Sequence, residues 1–300
     1  MNRVLLFKKI SKYCAKLGLG RSQKIVNLYE ETFSKISSGV RLEYIKIGGQ
    51  KLYLDKEDSL LLSTRKDSYD KFEIECLKRI IKKGDIVVDL GANIGYYTLI
   101  LAQLVGEFGH VYAFEPEPSN FELLSKNVKE NKHNHVTLVQ KAVSDKNGKI
   151  NLYVSKRNLA SHRIFDGEDK RKSIEIDVTT LNEYFKNFEK PIKFIKIDVE
   201  GAEGATLLGA SKIIKNSKNL VIMMEYFPKW IKKFGGAPEE VLKSLLEKKF
   251  KLLNINQENK KLDTVVIANF IEEYNEQEKN YTNILCVKGE KLEFENSSKE

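Results

Sequence analysis

The sequence predicts an α/β fold: a mostly parallel, twisted sheet with helices on both faces. Three observations carry this. Short apolar runs alternate with amphipathic segments from Gly84 onward. The first run, Ile86-Val87-Val88-Asp89-Leu90, enters a glycine turn, Gly91-Ala92-Asn93-Ile94-Gly95. The second, Val111-Tyr112-Ala113-Phe114, ends in a carboxylate, Glu115. Strand, turn, helix and strand in that order build a parallel sheet whose ligands lie at the carboxyl ends of its strands.

Taken in order, residues 1 to about 38 read as helical, with Gly18-Leu19-Gly20 as a break and Ser37-Ser38-Gly39 as a stop. Val40 to Ile47 approach Gly48-Gly49 and Lys51 to Leu54 leave it, which is the two-residue signal for a tight hairpin. From Asp67 to Lys83 the spacing of Tyr69, Phe72, Leu77, Ile80 and Ile81 is helical. Seven sheet strands are then predicted at 86–90, 111–115, 136–143, 193–198, 219–225, 250–256 and 283–288. Helices are predicted at 95–105, 118–131, 180–188, 203–215 and 238–249. Lys149–Val154 and Ser173–Val178 interrupt the alternation as an inserted hairpin around a polar loop, 155–172. Loops this long inside a compact domain are usually functional or mobile. The expected division is an N-terminal extension of helices and hairpin (1–83), one large domain (84–290) and a polar tail (291–300).

The net charge of +9 is uneven: residues 1–80 hold 17 Lys/Arg against 10 Asp/Glu, and the remainder 34 against 32. A nucleic-acid enzyme more often carries its basic stripe around its site, so nucleic acid is not the expected partner. Cys14, Cys76 and Cys286 fit no metal or redox spacing and read as reduced thiols. No run has the length of a membrane span, and a cytoplasmic location is expected. Leu6, Ile10, Cys14 and Leu17 recur at helical spacing, and seven Lys/Arg precede Glu30, the first acidic residue. A basic amphipathic helix over residues 1–30 suits a peripheral contact with the inner face of a membrane; the blander alternative is packing on the domain or a partner.

The turn at 91–95 selects the ligand. A dinucleotide fingerprint aligned on Gly91 needs glycines at 93 and 96, where the chain has Asn93 and Tyr96. Asp89 would also repel a pyrophosphate. A zwitterionic, sulfonium-bearing nucleoside fits better, which points to S-adenosylmethionine. Asp89 faces its ammonium and sulfonium side, amides around Gly91 to Gly95 face its carboxylate, and Glu115 accepts both ribose hydroxyls. The neutral neighbours Pro116 and Pro118 offer no charge for a ribose phosphate. The structural alternative is that Asp89 and Gly91 merely shape the turn and Glu115 caps the next helix.

Val88 to Thr98 resembles the first motif of class I S-adenosylmethionine-dependent methyltransferases, and in particular that of the FkbM family of O-methyltransferases. The resemblance continues in Phe114-Glu115-Pro116, in Ala142-Val143-Ser144 and in Ile195 to Glu203, and covers roughly residues 44–288. It implies a Rossmann-like fold and cofactor contacts from Asp89, Gly91, Ala92, Asn93, Gly95, Tyr97, Glu115 and Pro116. It also implies that Ala142 and Val143 touch the adenine, with Ser144 or Asp145 near its amino group.

On the acceptor side, Asp198, Glu200 and Glu203 follow the fourth strand. Asp198 is the first choice for orienting or deprotonating a hydroxyl, Glu200 the second, and Glu203 reads as structural. The bland reading makes Asp198 a helix cap and the glutamates partners of the helix dipole. His162, in the polar loop, is a third candidate base; His110, His133 and His135 read as exposed connections. Asp198 and Glu225 could share a divalent cation, but no third ligand is in sight and no metal is expected. An amino acceptor on a nucleobase would want an aromatic platform directly after the fourth strand, and Val199-Glu200-Gly201 has none. Carboxylates there suit a hydroxyl better, and the family resemblance implies a small-molecule or glycan hydroxyl as the acceptor. Methylation of RNA or protein, and a non-catalytic cofactor-binding or membrane-surface module, stay open as alternatives.

Overall fold

The structure is a computed structural model that describes residues 43–54, 70–154, 171–274 and 281–289. The predicted helices before residue 39, His162 in its loop and the polar tail lie outside the described residues.

Strands β1 (Tyr44–Ile47) and β2 (Gln50–Tyr53) pair as an antiparallel hairpin. Gly48 and Gly49 both have positive φ, 56° and 87°, as a two-residue hairpin turn that matches strand twist requires. The chain continues through α1 (Lys71–Ile80), β3 (Ile86–Leu90), α2 (Tyr96–Val105), β4 (His110–Phe114), α3 (Pro118–Glu130) and β5 (Val136–Val139). A small sheet of β6 (Ala142–Val143), β7 (Gly148–Val154) and β8 (Lys172–Thr179) follows. Then come α4 (Leu181–Tyr184), β9 (Ile192–Ile197), α5 (Glu203–Gly209), α6 (Ser211–Asn216), β10 (Leu220–Tyr226), α7 (Pro228–Lys233) and α8 (Pro238–Glu247). The described chain closes with β11 (Lys251–Asn256), β12 (Lys261–Thr264), α9 (Ile267–Glu273) and β13 (Thr282–Lys288).

The main sheet has the order β12-β11-β13-β10-β9-β3-β4-β5. It is parallel from β10 to β5, and β13 runs antiparallel between β10 and β11. The chain starts in the middle at β3, steps outward to β4 and β5, and returns on the other side of β3 as β9. The crevice at the carboxyl ends of β3, β4 and β9 is thus a topological switch point, where open α/β sheets bind ligands.

The central strands are buried on both faces, which explains their unbroken apolar runs. Val87, Phe194, Val221, Met223 and Leu285 face Phe72, Leu77 and Leu101 of α1 and α2. Val88, Ile195, Ile222, Met224 and Ile284 face Leu181, Leu207, Ile214 and Leu242 of the opposite layer. The hairpin is docked on α3: the amide of Tyr53 donates to Asn127 Oδ1 at 2.6 Å, and Asn127 Nδ2 donates to the carbonyls of Tyr53 and Ile94. One buried asparagine thereby ties the hairpin and the glycine turn to the same helix.

The sheet differs from expectation in four places. It has eight strands, because β11 turns back as β12. The predicted strand 136–143 is divided: after β5 the Lys141 amide turns back on the Val139 carbonyl, and Ala142–Val143 pair with β8 instead. The predicted helix 203–215 is interrupted at Ala210, where Gly209 meets β6 so closely that a Cβ would lie 1.9 Å from the Ser144 carbonyl oxygen. The predicted helix 180–188 ends after Tyr184, and Phe185 and Phe188 turn inward to stack edge-on against Tyr112.

Candidate active site

Leu90 is the register partner of Phe114 on one side and Ile197 on the other. Glu115 and Asp198, the next residues of those strands, therefore flank the start of the glycine turn at one level, on strands one on each side of β3 and about 9.6 Å apart.

The turn is built from left-handed residues: Gly91 (φ 76°), Asn93 (φ 51°) and Gly95 (φ 97°). Gly91 is required by packing as well as by φ. A Cβ there would lie 1.8 Å from the Asp198 carbonyl oxygen, because the Asp198 amide donates to Leu90 O and the two strand ends touch. Gly91→Ala is expected to destabilise the fold by about 3 kcal/mol, read as a lower urea midpoint at unchanged slope. An unchanged midpoint would show that the strand ends do not need this contact.

The turn's amides are already engaged. Those of Gly91 and Ala92 donate to Phe114 O, Asn93 to Glu115 Oε2, Ile94 to Asn93 Oδ1 and Gly95 to Ala92 O. The expectation that these amides face a ligand carboxylate is corrected. The first-turn amides of α2 start a helix with no side-chain cap.

Asp89 is fully buried. Its Oδ2 accepts from Thr98 Oγ1 at 2.6 Å, while Oδ1 has no partner. Burial raises its carboxyl, and Lys196 opposes the rise. Glu115 is also buried, with Oε1 accepting from the Glu117 amide and Oε2 from the Asn93 amide, 2.9 and 2.8 Å. Burial lifts it to about 7 against the pull of those amides. It does not cap the following helix: Glu117 does, accepting from the Asn120 amide at 2.7 Å. Pro116, half-buried, links the two.

Ala92 is buried within the turn. Ala142, Val143 and Ser144 are buried against β8 and α5, with the Ser144 amide on Thr179 O and Thr206 Oγ1 donating to Val143 O. Ser144 Oγ donates to Asp145 Oδ1 at 3.1 Å. Tyr97 opens α2 and is tied into a buried polar network. Its hydroxyl donates to Glu73 Oε2 on α1, and its ring lies under Lys196 Nζ at 4.6 Å.

Lys196 lies inside the Ile195 to Glu203 motif and had no role in the sequence-based expectations. It sits in the middle of the sheet, 4% exposed, opposite Asp89 in register. Its Nζ donates to Asp198 Oδ2 at 2.8 Å. Burial depresses its amine, but Asp198, Asp89 and Glu225 outweigh that and raise it, so it stays charged. A lysine between Ile195 and Ile197 in a central strand was the available signal, since such a charge is buried only when paired. Glu73 extends the network, its Oε1 accepting from Gln257 and Asn283.

Asp198 is the reachable end of this network: its side chain is 38% exposed against 5% for Lys196. It caps no helix, the N-cap of α5 being Ala202. Glu200 takes a left-handed conformation (φ 55°) and is half-buried. Glu203 is 1% exposed; its Oε1 accepts from the amides of Val199 and Gly201, and its Oε2 has no partner. It therefore holds the turn that presents Asp198. Glu225, at the end of β10, is pushed well above the ordinary range by burial and by Asp198 and Glu203. Among the described residues no group of three His, Cys, Asp or Glu side chains is arranged to hold a metal.

Burial likewise lifts Glu203 from 4.5 to about 7, against the amides it accepts from. The folded chain therefore binds this proton more tightly than the unfolded chain, and stability at this site falls as pH climbs from about 4.5 to about 7. Glu203→Gln, which keeps an acceptor for both amides, is expected to flatten that slope in a Tm series across this window. Parallel wild-type and variant curves would contradict the assignment.

The three described histidines are not the exposed connections expected. Each is half-buried and bonded at the opposite edge of the sheet, His110 to Thr137, His133 to Gln50 and His135 to the Ala102 carbonyl. Cys76 and Cys286 are buried free thiols, and burial raises both. The reading also missed an aromatic group after β10: Phe227 and Trp230 stack with centroids 5.1 Å apart, and Tyr281 lies 5.7 Å from Phe227. Its signal was Phe227-Pro228-Lys229-Trp230, directly after the fifth strand.

Residues 89–252, over half of the chain, match the family described as the methyltransferase FkbM domain. A protein-L-isoaspartate O-methyltransferase of Ignicoccus hospitalis is 36% identical over 59 residues, 20% of this chain and 28% of that protein. The match thus spans less than a third of that relative. The tRNA(Phe) (4-demethylwyosine(37)-C(7)) aminocarboxypropyltransferase of Methanocaldococcus jannaschii is 29% identical over 182 residues, 56% of this chain and 71% of that one. The crystal structure of the FkbM methyltransferase from Methylobacillus flagellatus aligns with a TM-score of 0.41 at 16% identity, covering 69% of this chain and 43% of the other.

Proposed function

The chain belongs to the FkbM family of methyltransferases, and on that premise we propose that it methylates a hydroxyl oxygen of a sugar or another natural product, with S-adenosylmethionine as donor. The observation that carries the reading is the gathering of three acidic residues at the carboxyl ends of β3, β4 and β9: Asp89, two residues before Gly91 and with an unpartnered buried oxygen, and Glu115 and the half-buried Asp198, both level with Gly91.

A buried carboxylate oxygen without a partner fits the cationic side of a sulfonium amino acid. Asp89 would take that side, the first-turn amides of α2 the carboxylate, and Glu115 the ribose hydroxyls through its remaining lone pairs. Ala142 to Ser144 would flank the adenine. Bound S-adenosylmethionine supplies an electrophilic methyl carbon, which leaves its bonding pair on sulfur as the acceptor oxygen bonds to it. Asp198, held by Lys196, orients the acceptor hydroxyl and takes its proton. Glu200 lines the same end of β9, and His162 stays a candidate base from the loop.

Incubating cell extract with donor and full-length chain, then comparing mass spectra, tests this. A product one methyl heavier than a hydroxyl-bearing precursor is expected. Methylation confined to RNA or protein would replace the reading. The relative named for tRNA(Phe) modification favours RNA as the second reading, and salt-sensitive RNA binding would mark it. Among the described residues no helix is long and apolar enough to cross a membrane. Action in the cytoplasm, with residues 1–30 as a membrane or partner contact, is part of the proposal.

A further inference from the structure

The aromatic group after β10 stands beside Asp198. Phe227 follows the carboxyl end of β10, and Tyr281 precedes β13, which is antiparallel to β10, so the two meet at the same edge of the sheet. Trp230 lies against the acceptor-side turn itself: a Cβ on Gly201 would be 2.7 Å from the Trp230 carbonyl oxygen and 3.2 Å from its Cβ. The backbone of Trp230 therefore packs on the turn that carries Asp198 and Glu200, with Phe227 stacked on the Trp230 ring and Tyr281 next to Phe227 at the same end of the sheet. Phe227 and Trp230 are near-parallel, at 20°, and half-buried, while Tyr281 is 44% exposed.

We infer that Phe227, Trp230 and Tyr281 form a stacking subsite for a sugar ring whose hydroxyl is presented to Asp198. The inference rests on the hydroxyl-transfer reading and narrows its acceptor class. An aromatic face carries negative charge density and attracts the weakly positive C–H face of a pyranose, while carboxylates at the ring's edge accept hydrogen bonds from its hydroxyls. A few polar groups set into an aromatic wall are the usual makeup of a small-molecule site. The carboxylates Asp198 and Glu200 at this edge disfavour a phosphate backbone. The lysines of α7, Lys229, Lys232 and Lys233, make a phosphate-bearing base stacked on the same rings the competing outcome.

Trp230 is the single tryptophan of the chain, so its emission reports on this place alone. Full-length protein with S-adenosylhomocysteine is titrated with methyl glycosides of neutral hexoses, 6-deoxyhexoses and N-acetylhexosamines, and separately with short single-stranded RNA. Transfer of labelled methyl to the same glycosides is measured in parallel. A saturable change in emission with at least one glycoside is expected. KM for that glycoside should rise about tenfold in Tyr281→Ala and in Phe227→Leu, with kcat and cofactor affinity within about twofold of wild type and recovery in Tyr281→Phe. Glycoside methylation with an unchanged KM in both variants would overturn the subsite and leave hydroxyl transfer standing. A saturable response to RNA alone, with label in the RNA, would overturn both.

Discussion

Asp198→Asn is expected to lower turnover by about 10²- to 10⁴-fold while S-adenosylmethionine binds within about twofold of wild type. The substitution keeps an acceptor for Lys196, which donates to Asp198 Oδ2 at 2.8 Å, so the network stays joined and only proton acceptance and charge are lost. Asp198→Ala goes further, because it leaves the buried Lys196 charge to Asp89 and Glu225 alone. Single-turnover transfer with calorimetry on the same preparations separates the two effects. Turnover unchanged in Asp198→Asn would remove the residue from the chemistry and leave Glu200 and His162 to be tested.

The second large effect concerns the cofactor. Glu115→Ala is expected to weaken S-adenosylmethionine binding by about 100-fold, equivalent to roughly 2.7 kcal/mol. It removes the proposed ribose acceptor and also releases the amides of Asn93 and Glu117, which its two oxygens now hold. Glu115→Gln keeps one of those acceptors and is expected to fall between the two. Calorimetric titration checks the order, with circular dichroism establishing that each variant is folded. Equal affinity in all three proteins would place the ribose elsewhere.

The parts of this site that were legible in sequence are those where chemistry is written locally. An apolar strand, a turn with Gly91 and Gly95 and a strand ending in Glu115 are contiguous patterns, and the sheet followed from their repetition. The hairpin around Gly48-Gly49 was legible for the same reason, since both turn residues need positive φ. What was not legible depends on residues far apart in the chain. Glu73 binds Asn283 across 210 positions and Gln257 across 184, and neither spacing announces itself. Tyr97 belongs to the cofactor motif by position, and its spacing from Glu73 did not announce that its hydroxyl bonds to the carboxylate of α1. The turn amides were misassigned because glycine and asparagine in a loop do not reveal that Phe114 O and Glu115 consume them. The aromatic wall was overlooked because it comes from the residues just after β10 and just before β13, whereas the motif that drew attention follows β9.

The claim at the centre is that the methyl group ends on oxygen. Donor carrying a ¹³C-methyl group, incubated with the full-length chain and the acceptor recovered from extract, gives a product whose new methyl carbon can be placed by its chemical shift and its correlation to the ring protons. A methyl carbon bonded to a sugar or alcohol oxygen, formed by wild type and lost in Asp198→Asn, is the expected result. A methyl carbon on nitrogen or carbon would contradict it.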